Sequence, residues 1–308
     1  MDKTLLPDIK QQLSTLISLP SMSSTLDEYD LSNRAVINQL ASWCETLGFK
    51  VDIQCVDAER KKFNMLATLG SGPGGLILSG HTDTVPCNPE RWSSDPFTLT
   101  DKDNKFYGLG TCDMKGFFAL ALAAISKVDI KKLKAPIFIL ATSDEETSMA
   151  GARALATLGL PKARAAIIGE PTGLKPINMH KGIMMEGVTV TGQAGHSSNP
   201  DLGNNAMEIM HKVMSNLMEY RSELQQAHKH TAFSVPTPTM NLGCIHGGDN
   251  PNRICGQCEL HYDLRTIPGM NMDTLRDNIN QRLQKIAQET HSKIESYRLF
   301  DGVNAFSN

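Results

Sequence analysis

The stretch that decides the fold is GLILSGHTDTVP, residues 75–86, in which an apolar run ends in a histidine and an aspartate. Two further runs have the same form: IFILATSDEET at 137–147 ends in acids, and AAIIGEPT at 165–172 ends in a glutamate. Short apolar runs are typical of buried strands, and helical patterns at 114–125 and 150–158 alternate with them. This alternation predicts an α/β domain built on a largely parallel sheet flanked by helices.

The polar residues at these strand ends are His81, Asp83, Glu145, Glu146 and Glu170. Ligands collect at the carboxyl ends of parallel strands, so we expect these side chains to converge on one crevice. Carboxylates that are packed together repel each other and take up protons unless a cation neutralises them. One histidine among oxygen ligands suits zinc, with cobalt or manganese as substitutes.

A fourth element carries Asp113, in the sequence YGLGTCDMKG at 107–116. Its glycines shape a loop that opens onto an apolar helix, and we expect that loop to reach the same crevice. Each signal is weak alone, because HxD triplets, acidic pairs and glycine turns are common. Their joint placement at successive strand ends favours a functional metal site.

The second half of the chain has a different pattern. Extended segments are predicted at 183–191, 237–246 and 254–265, and helical segments at 205–220 and 272–288. Two helices interleaved with antiparallel strands predict a compact α+β domain over 181–293. The first domain then spans 1–180 and resumes at 294–308.

The amino-acid composition limits the classes of binding partner that we expect. With 30 basic and 33 acidic residues the net charge is -3, which offers no positive field for nucleic acid or an anionic membrane. Leu5, Ile9, Leu13 and Leu16 have helical spacing among charged residues, which predicts an amphipathic helix and not a signal peptide. No apolar stretch approaches the roughly 18 to 20 residues that span a bilayer. We expect a cytoplasmic protein that binds a small molecule.

The seven cysteines are scattered and odd in number, which fits reduced thiols. Cys255 and Cys258 form a CxxC pair in an extended segment, where residues three apart point to opposite faces. Since there is no second CxxC, packing is the favoured interpretation and zinc binding the alternative.

Eight ordered motifs carry a resemblance to a known family. HTDTVP at 81–86, GLGTCDMKG at 108–116, DEET at 144–147 and IIGEPT at 167–172 resemble the aminoacylase and carboxypeptidase-like family of co-catalytic zinc hydrolases. HKG at 180–182, GQAGHSSNP at 192–200, GGDNPNRIC at 247–255 and ELHYDLRTIPGM at 259–270 are similar to the acetylornithine deacetylases within it. The resemblance implies a zinc-exopeptidase-like first domain, an inserted dimerisation domain and a homodimer.

The resemblance also implies roles for the first-domain residues. It makes His81, Asp113 and Glu170 the ligands of one metal ion, with Asp113 bridging to a second ion that Glu146 also holds. It makes Asp83 the carboxylate that orients the His81 ring. Glu145 becomes the general base, since of two adjacent acids one can bind metal while the other accepts a proton.

In the second domain the resemblance implies three substrate contacts. His196 helps to hold the oxyanion in the partner subunit's active site, and Asn252 and Arg265 contact the carboxylate end of the substrate. The alternatives are a turn histidine for His196 and structural roles for Asn252 and Arg265, with Arg265 as one half of an ion pair.

The implied activity is hydrolysis of N-acetyl-L-ornithine to L-ornithine and acetate, a step of arginine biosynthesis. The alternatives are a related N-acyl amino acid deacylase, such as succinyl-diaminopimelate desuccinylase, and an inactive truncated fragment that dimerises. The family carries a further metal-binding histidine near its C-terminus, whereas no histidine follows His291 in this sequence. The resemblance therefore implies an incomplete second metal site and about one zinc ion per chain.

Overall fold

The computed structural model describes residues 6–159 and 161–308, and the chain divides into two compact units at Lys175. The helices of the first unit are α1 (Ile9–Ile17), α2 (Arg34–Thr46), α3 (Lys115–Ile125) and α4 (Ala150–Leu158). Its strands are β1 (Lys50–Asp57), β2 (Lys62–Leu69), β3 (Leu76–His81), β4 (Thr100–Lys102), β5 (Lys105–Tyr107), β6 (Ile137–Thr142) and β7 (Ala165–Ile168). Of the predicted N-terminal helix, Leu5 lies outside the described residues.

The main sheet of the first unit has the strand order β1-β2-β6-β3-β7. β3 is parallel to both β6 and β7, while β2 is antiparallel to β1 and to β6. The α/β fold class is confirmed, and the sheet is mixed. Its parallel part consists of the three strands predicted from the apolar runs, and the antiparallel strands β1 and β2 were not foreseen.

A hydrophobic core joins this sheet to its helices. Buried residues of α1, α2 and α3 pack together with Met65 and Ala67 of β2 and Ile139 and Ala141 of β6. Side chains alternate between the two faces of a strand, so Asn64 of β2 points away from this core. The strand β7 lies at an edge of the sheet, and all four of its residues are exposed.

The second unit is a four-stranded antiparallel sheet with two helices. Its elements are β8 (Met179–His180), β9 (Met184–Thr191), β10 (Gly195–His196), α5 (Ala206–Ala227), β11 (Thr239–Gly247), β12 (Arg253–Ile254), β13 (Gln257–Arg265), α6 (Met272–Thr290), β14 (Lys293–Arg298) and β15 (Phe306–Ser307). The sheet order is β11-β13-β9-β14, and α5 and α6 share one core with it. Along β13, Cys258, Leu260, Tyr262 and Leu264 are buried in that core, as period-two alternation requires. Cys255 is buried there too, and both cysteines are free thiols.

One boundary needs correction. The segment 294–308 was predicted to resume the first domain, but β14 pairs with β9 from Lys293↔Thr191 to Arg298↔Glu186, and Ile294 lies in the second core. The physical reason is that pairing with β14 satisfies backbone groups of β9 that would otherwise form an edge of the sheet. The predicted boundary between 180 and 181 stays a prediction. Among the described residues, no helix combines the length and the apolar character that crossing a membrane requires.

Candidate metal centre

The centre of the site is His81, the last residue of β3, which is buried. Its Nδ1 lies 2.9 Å from the backbone oxygen of Asp83, a contact in which Nδ1–H donates. That tautomer leaves a lone pair on Nε2. Nε2 lies 3.1 Å from Asp113 Oδ1, 3.7 Å from Glu170 Oε1 and 4.0 Å from Glu145 Oε2. A lone pair facing carboxylates is stable only when a proton or a cation lies between them.

Asp83 connects the β3 end to the acidic loop that follows β6. Its side chain is 1% exposed, and its Oδ2 accepts a hydrogen bond of 3.1 Å from the backbone N–H of Glu146. Asp83 Oδ1 lies 3.7 Å from His81 Nδ1, which is too long for a hydrogen bond. The backbone carbonyl of Asp83 therefore makes the direct contact that fixes the ring, and the orienting role of the Asp83 carboxylate stays a prediction.

Two glycines allow Asp113 and Glu170 to reach this point. Gly110 has a φ of 90°, in the left-handed region that favours glycine, and a Cβ there would lie 2.8 Å from Lys115 Cε, so another residue would strain the loop before α3. Gly169 precedes Glu170, and a Cβ there would lie 2.1 Å from the Phe117 ring. The chain after β7 thus passes directly over the start of α3.

The donor chemistry fits a divalent metal. His81, Asp113 and Glu170 offer one nitrogen and two oxygens that all lie within 4.8 Å of one another, and His81, Glu145 and Glu146 form a second such group. Nitrogen with carboxylate oxygen is a ligand set that zinc accepts. Because one nitrogen atom can ligate only one ion at a time, the two groups are alternatives at His81 Nε2. The separate roles predicted for Glu145 and Glu146 stay predictions.

The pKa values of the glutamates at this site are raised, because the carboxylates are partly buried and close together. Burial raises the pKa of Glu146 to about 7, and the nearby Asp113 carboxylate adds to the shift. Burial also raises the pKa of Glu145 and of Glu170, partly opposed by His81. Burial alone lowers the pKa of His81, but the surrounding carboxylates outweigh it and raise the pKa overall. Without a metal ion, protons must hold this cluster together.

The predicted substrate contacts of the second domain lie in the second unit. His196 is exposed in β10 and pairs with Arg253 of β12, and the backbone oxygen of Asn252 accepts from Ser197 N–H at 3.0 Å. His196 and Asn252 are therefore neighbours. Arg265 is at the far end of β13, where its Nε donates to Asp263 Oδ2 at 2.9 Å, and it forms the ion pair that its residue type alone allowed.

Sequence analysis missed a cavity beside the acids. A space of about 390 Å³ adjoins Asp113 and Glu146, and its walls include Trp92, Phe106 and Tyr107. The aromatic pair directly precedes the glycine loop that carries Asp113. This adjacency to the glycine loop could have indicated that Phe106 and Tyr107 line the site. Trp92 is distant from the loop in sequence, so no sequence pattern indicated its position.

Comparison with known proteins extends these observations. Residues 178–291 match the family described as the peptidase dimerisation domain. Over 286 residues the chain is 52% identical to an acetylornithine deacetylase of Salmonella agona (strain SL483), which covers 93% of this chain and 75% of that protein. The chain belongs to the acetylornithine deacetylase family. This membership confirms the enzyme class indicated by the motifs, a metal-dependent amide hydrolase.

Solved structures agree with the fold of this family. A tripeptidase from Staphylococcus aureus has a TM-score of 0.73 at 18% identity, covering 97% of this chain and 76% of that chain. A metallo-carboxypeptidase of the M20 family from Sulfolobus solfataricus has a TM-score of 0.71 at 18% identity, covering 95% of this chain and 78% of that chain. At 18% identity these similarities support the fold of this chain, and they give no information about its substrate.

Zinc binding is expected to release protons. In the metal-free protein Glu146 holds a proton below its raised pKa, and ligation needs the carboxylate. Isothermal titration at about pH 6.5 in two buffers of different ionisation enthalpy should report release on the order of one proton per zinc ion. Glu146→Gln should reduce that number. Heats that are independent of the buffer would contradict a protonated acid cluster.

The same shift gives a pH dependence of stability. The folded pKa of Glu146, about 7, lies above the ordinary glutamate value of 4.5, so the folded state binds more protons between these values. The contribution of Glu146 to metal-free stability is thus fully present below the ordinary glutamate pKa and is lost as the pH rises through about 7. Saturating zinc should remove this loss in thermal unfolding measurements.

Proposed function

We propose that this chain is a zinc-dependent deacetylase that converts N-acetyl-L-ornithine and water to L-ornithine and acetate. The observation that carries the proposal is the convergence of His81 with Asp113, Glu170, Glu145 and Glu146 in a chain 52% identical to an acetylornithine deacetylase. The coverage of 75% of that relative includes every motif named above.

We propose His81, Asp113 and Glu170 as ligands of one zinc ion, and Asp113 with Glu146 as protein ligands of a second. Cobalt is the expected substitute because the same donors suit it. When bound, the metal polarises the acetyl carbonyl and lowers the pKa of water, which is the chemistry that amide hydrolysis at neutral pH requires.

Glu145 moves the protons in the proposed reaction. It accepts a proton from the attacking water as the water oxygen bonds to the acetyl carbon, and it returns that proton to the ornithine nitrogen as the C–N bond breaks. The raised pKa of Glu145 supports this role, since a proton carrier works best with a pKa near the working pH. Asp83 supports it indirectly, by bonding the backbone N–H of the next residue in the loop.

We propose that the enzyme is a homodimer in which His196 of the partner subunit donates a hydrogen bond to the oxyanion. Ser198 N–H donates to His196 Nδ1 at 3.2 Å, and this leaves Nε2–H free to act as a donor. Asn252 lies beside His196 and is proposed to bind the substrate carboxylate, as is Arg265. The match of residues 178–291 to a dimerisation domain supports the dimer.

Glu145→Ala should retain the fold and zinc yet lower kcat by about 10²- to 10⁴-fold, because general-base catalysis contributes that much. Glu146→Ala is the matched comparison and should lose zinc affinity. Metal analysis and an assay of ornithine release on both proteins measure the difference. If Glu145→Ala loses zinc while Glu146→Ala keeps it, the two roles are reversed.

The substrate itself is tested with the wild-type enzyme. Acetylornithine should have a higher kcat/KM than acetylmethionine or succinyl-diaminopimelate. A preference for the succinylated compound would replace the proposed activity with a desuccinylase.

Two inactive variants should complement each other in a dimer. A His196→Ala chain co-expressed with a Glu145→Ala chain produces one active site with both groups intact, so activity should return partially. Tagged purification of the heterodimer followed by the ornithine assay measures it. Proven heterodimers without activity would refute the assignment of His196 to the partner's site.

A further inference from the structure

A buried lysine lies behind the loop that carries Glu145 and Glu146. Lys62 begins β2, and its side chain is 1% exposed. Its Nζ lies 2.6 Å from Asp30 Oδ1 and 3.0 Å from Asp144 Oδ1, and it donates to the backbone oxygen of Leu31 at 2.9 Å. Burying an ammonium group is costly unless it is paired and hydrogen-bonded, so these contacts are what keeps Lys62 inside.

The strand register places Lys62 beside the acidic loop. β2 runs antiparallel to β6 with Met65 opposite Ala141. One step back along β2 corresponds to one step forward past the end of β6, so continuing this register sets Lys62 opposite Asp144. Sheet pairing therefore brings the two residues to the same end of the strand pair, and the Lys62 side chain completes the contact with Asp144.

The same face of β2 holds the ends of the loop. Asn64, two residues after Lys62, accepts from Ser143 N–H at 3.2 Å and donates from Nδ2 to the Gly151 backbone oxygen at 2.9 Å. Gly151 N–H in turn donates to the Ser143 backbone oxygen at 3.2 Å. The loop 143–151 is thus closed at its base, and Lys62 holds the residue directly before the two glutamates.

Asp144 adopts a conformation that needs this support. Its φ of 55° lies in the left-handed region, which non-glycine residues occupy when surrounding contacts fix them. Its carboxylate accepts from Ser23 Oγ at 2.9 Å as well as from Lys62, and its backbone oxygen accepts from Met149 N–H at 2.6 Å. The turn at Asp144 sets the direction in which Glu145 and Glu146 leave the strand.

The negative charge of Asp144 is a second reason why the loop needs a lysine at position 62. Asp144 is buried and adjacent in sequence to two acids that already face Asp113 and Glu170 across His81. An unpaired Asp144 carboxylate would add repulsion to that cluster and pull the loop away from it. Lys62, which Asp144 shares with Asp30, places a positive charge against the Asp144 carboxylate.

We propose that Lys62 is a positioning residue for catalysis: through its ion pair with Asp144 it holds the loop 143–151 so that Glu145 and Glu146 face His81. The proposal rests on the proposed function, because it assumes that these two glutamates act on the substrate and the metal. Lys62 itself touches neither.

The test compares the wild-type enzyme with Lys62→Met, in which the side chain is unbranched, uncharged and one heavy atom shorter. A displacement of about 1 Å at a catalytic group costs on the order of 100-fold, so we expect kcat to fall by about that factor with KM nearly unchanged. In the metal-free protein, hydrogen exchange should accelerate in the loop 143–151, where the Glu146 and Met149 amides are bonded, and not in β13 of the second unit.

Two variants serve as controls. Lys62→Arg keeps the charge and should recover most of kcat and of the amide protection. Arg60→Met removes a half-exposed cation whose ion pairs are with Asp27 at 3.2 Å and Asp30 at 3.9 Å, so it should leave kcat and loop exchange unchanged. If Lys62→Met does not fold, Asp144→Asn removes the same ion pair from the other side and should give the same loss of kcat and of protection.

Wild-type kcat and wild-type loop exchange in folded Lys62→Met or Asp144→Asn would overturn the proposal. So would a uniform acceleration of exchange through both units with kcat lost only in proportion to unfolded protein, which indicates a purely structural lysine. If the wild-type chain fails to hydrolyse acetylornithine, the proposed function is refuted separately. The exchange experiment on metal-free protein still decides whether Lys62 positions the loop.

Discussion

Everything in the site depends on the repulsion between carboxylates gathered around His81. Asp113, Glu170 and Glu145 all have an oxygen within 4.0 Å of His81 Nε2, an arrangement that is unfavourable without positive charge. The Nδ1 contact with the Asp83 backbone oxygen directs the lone pair of Nε2 at those acids. The fold therefore favours binding of a cation at this point, and the raised pKa values of Glu145, Glu146 and Glu170 reflect the same crowding of carboxylates.

The architecture supplies this arrangement through the parallel part of the sheet. β3, β6 and β7 end at the same edge, and the residues that follow each strand meet there. The antiparallel strand β2 has a different task, because its Lys62 and Asn64 brace the loop after β6 from behind. His81 and the glutamates of the site therefore lie at the ends of β3, β6 and β7, while contacts from the neighbouring strand β2 fix the loop after β6.

Much of this follows from sequence alone. The three apolar runs correspond to β3, β6 and β7, because short apolar runs bounded by turn residues are typical of strands, and β7 is apolar although it is exposed at the edge of the sheet. The acids at their ends are brought together as predicted, and the alternating strands and helices of the second half lie where the pattern indicated. The glycines at 108 and 110 correctly predicted that Asp113 lies in a loop that reaches the other acids.

Other features need three-dimensional information. β1 alternates between exposed and partly buried residues at a sheet edge, so it has no apolar run to detect. The pairing of Lys62 with Asp144 joins residues that are 82 positions apart through strand register, which no local pattern encodes. The membership of β14 in the second sheet likewise depends on which edge of β9 remains free.

The central claim is that the carboxylates around His81 are a metal centre, and diffraction at the zinc absorption edge tests it most directly. Crystals of the zinc-loaded protein should give an anomalous peak about 2.0 to 2.2 Å from His81 Nε2 and from oxygens of Asp113 and Glu170. A second peak between Asp113 and Glu146 should be much weaker, because the proposed second site has only these two protein ligands, and Glu145 should lie outside the ligand sphere. An anomalous map without a peak at His81, from protein that has bound zinc elsewhere, would contradict the account.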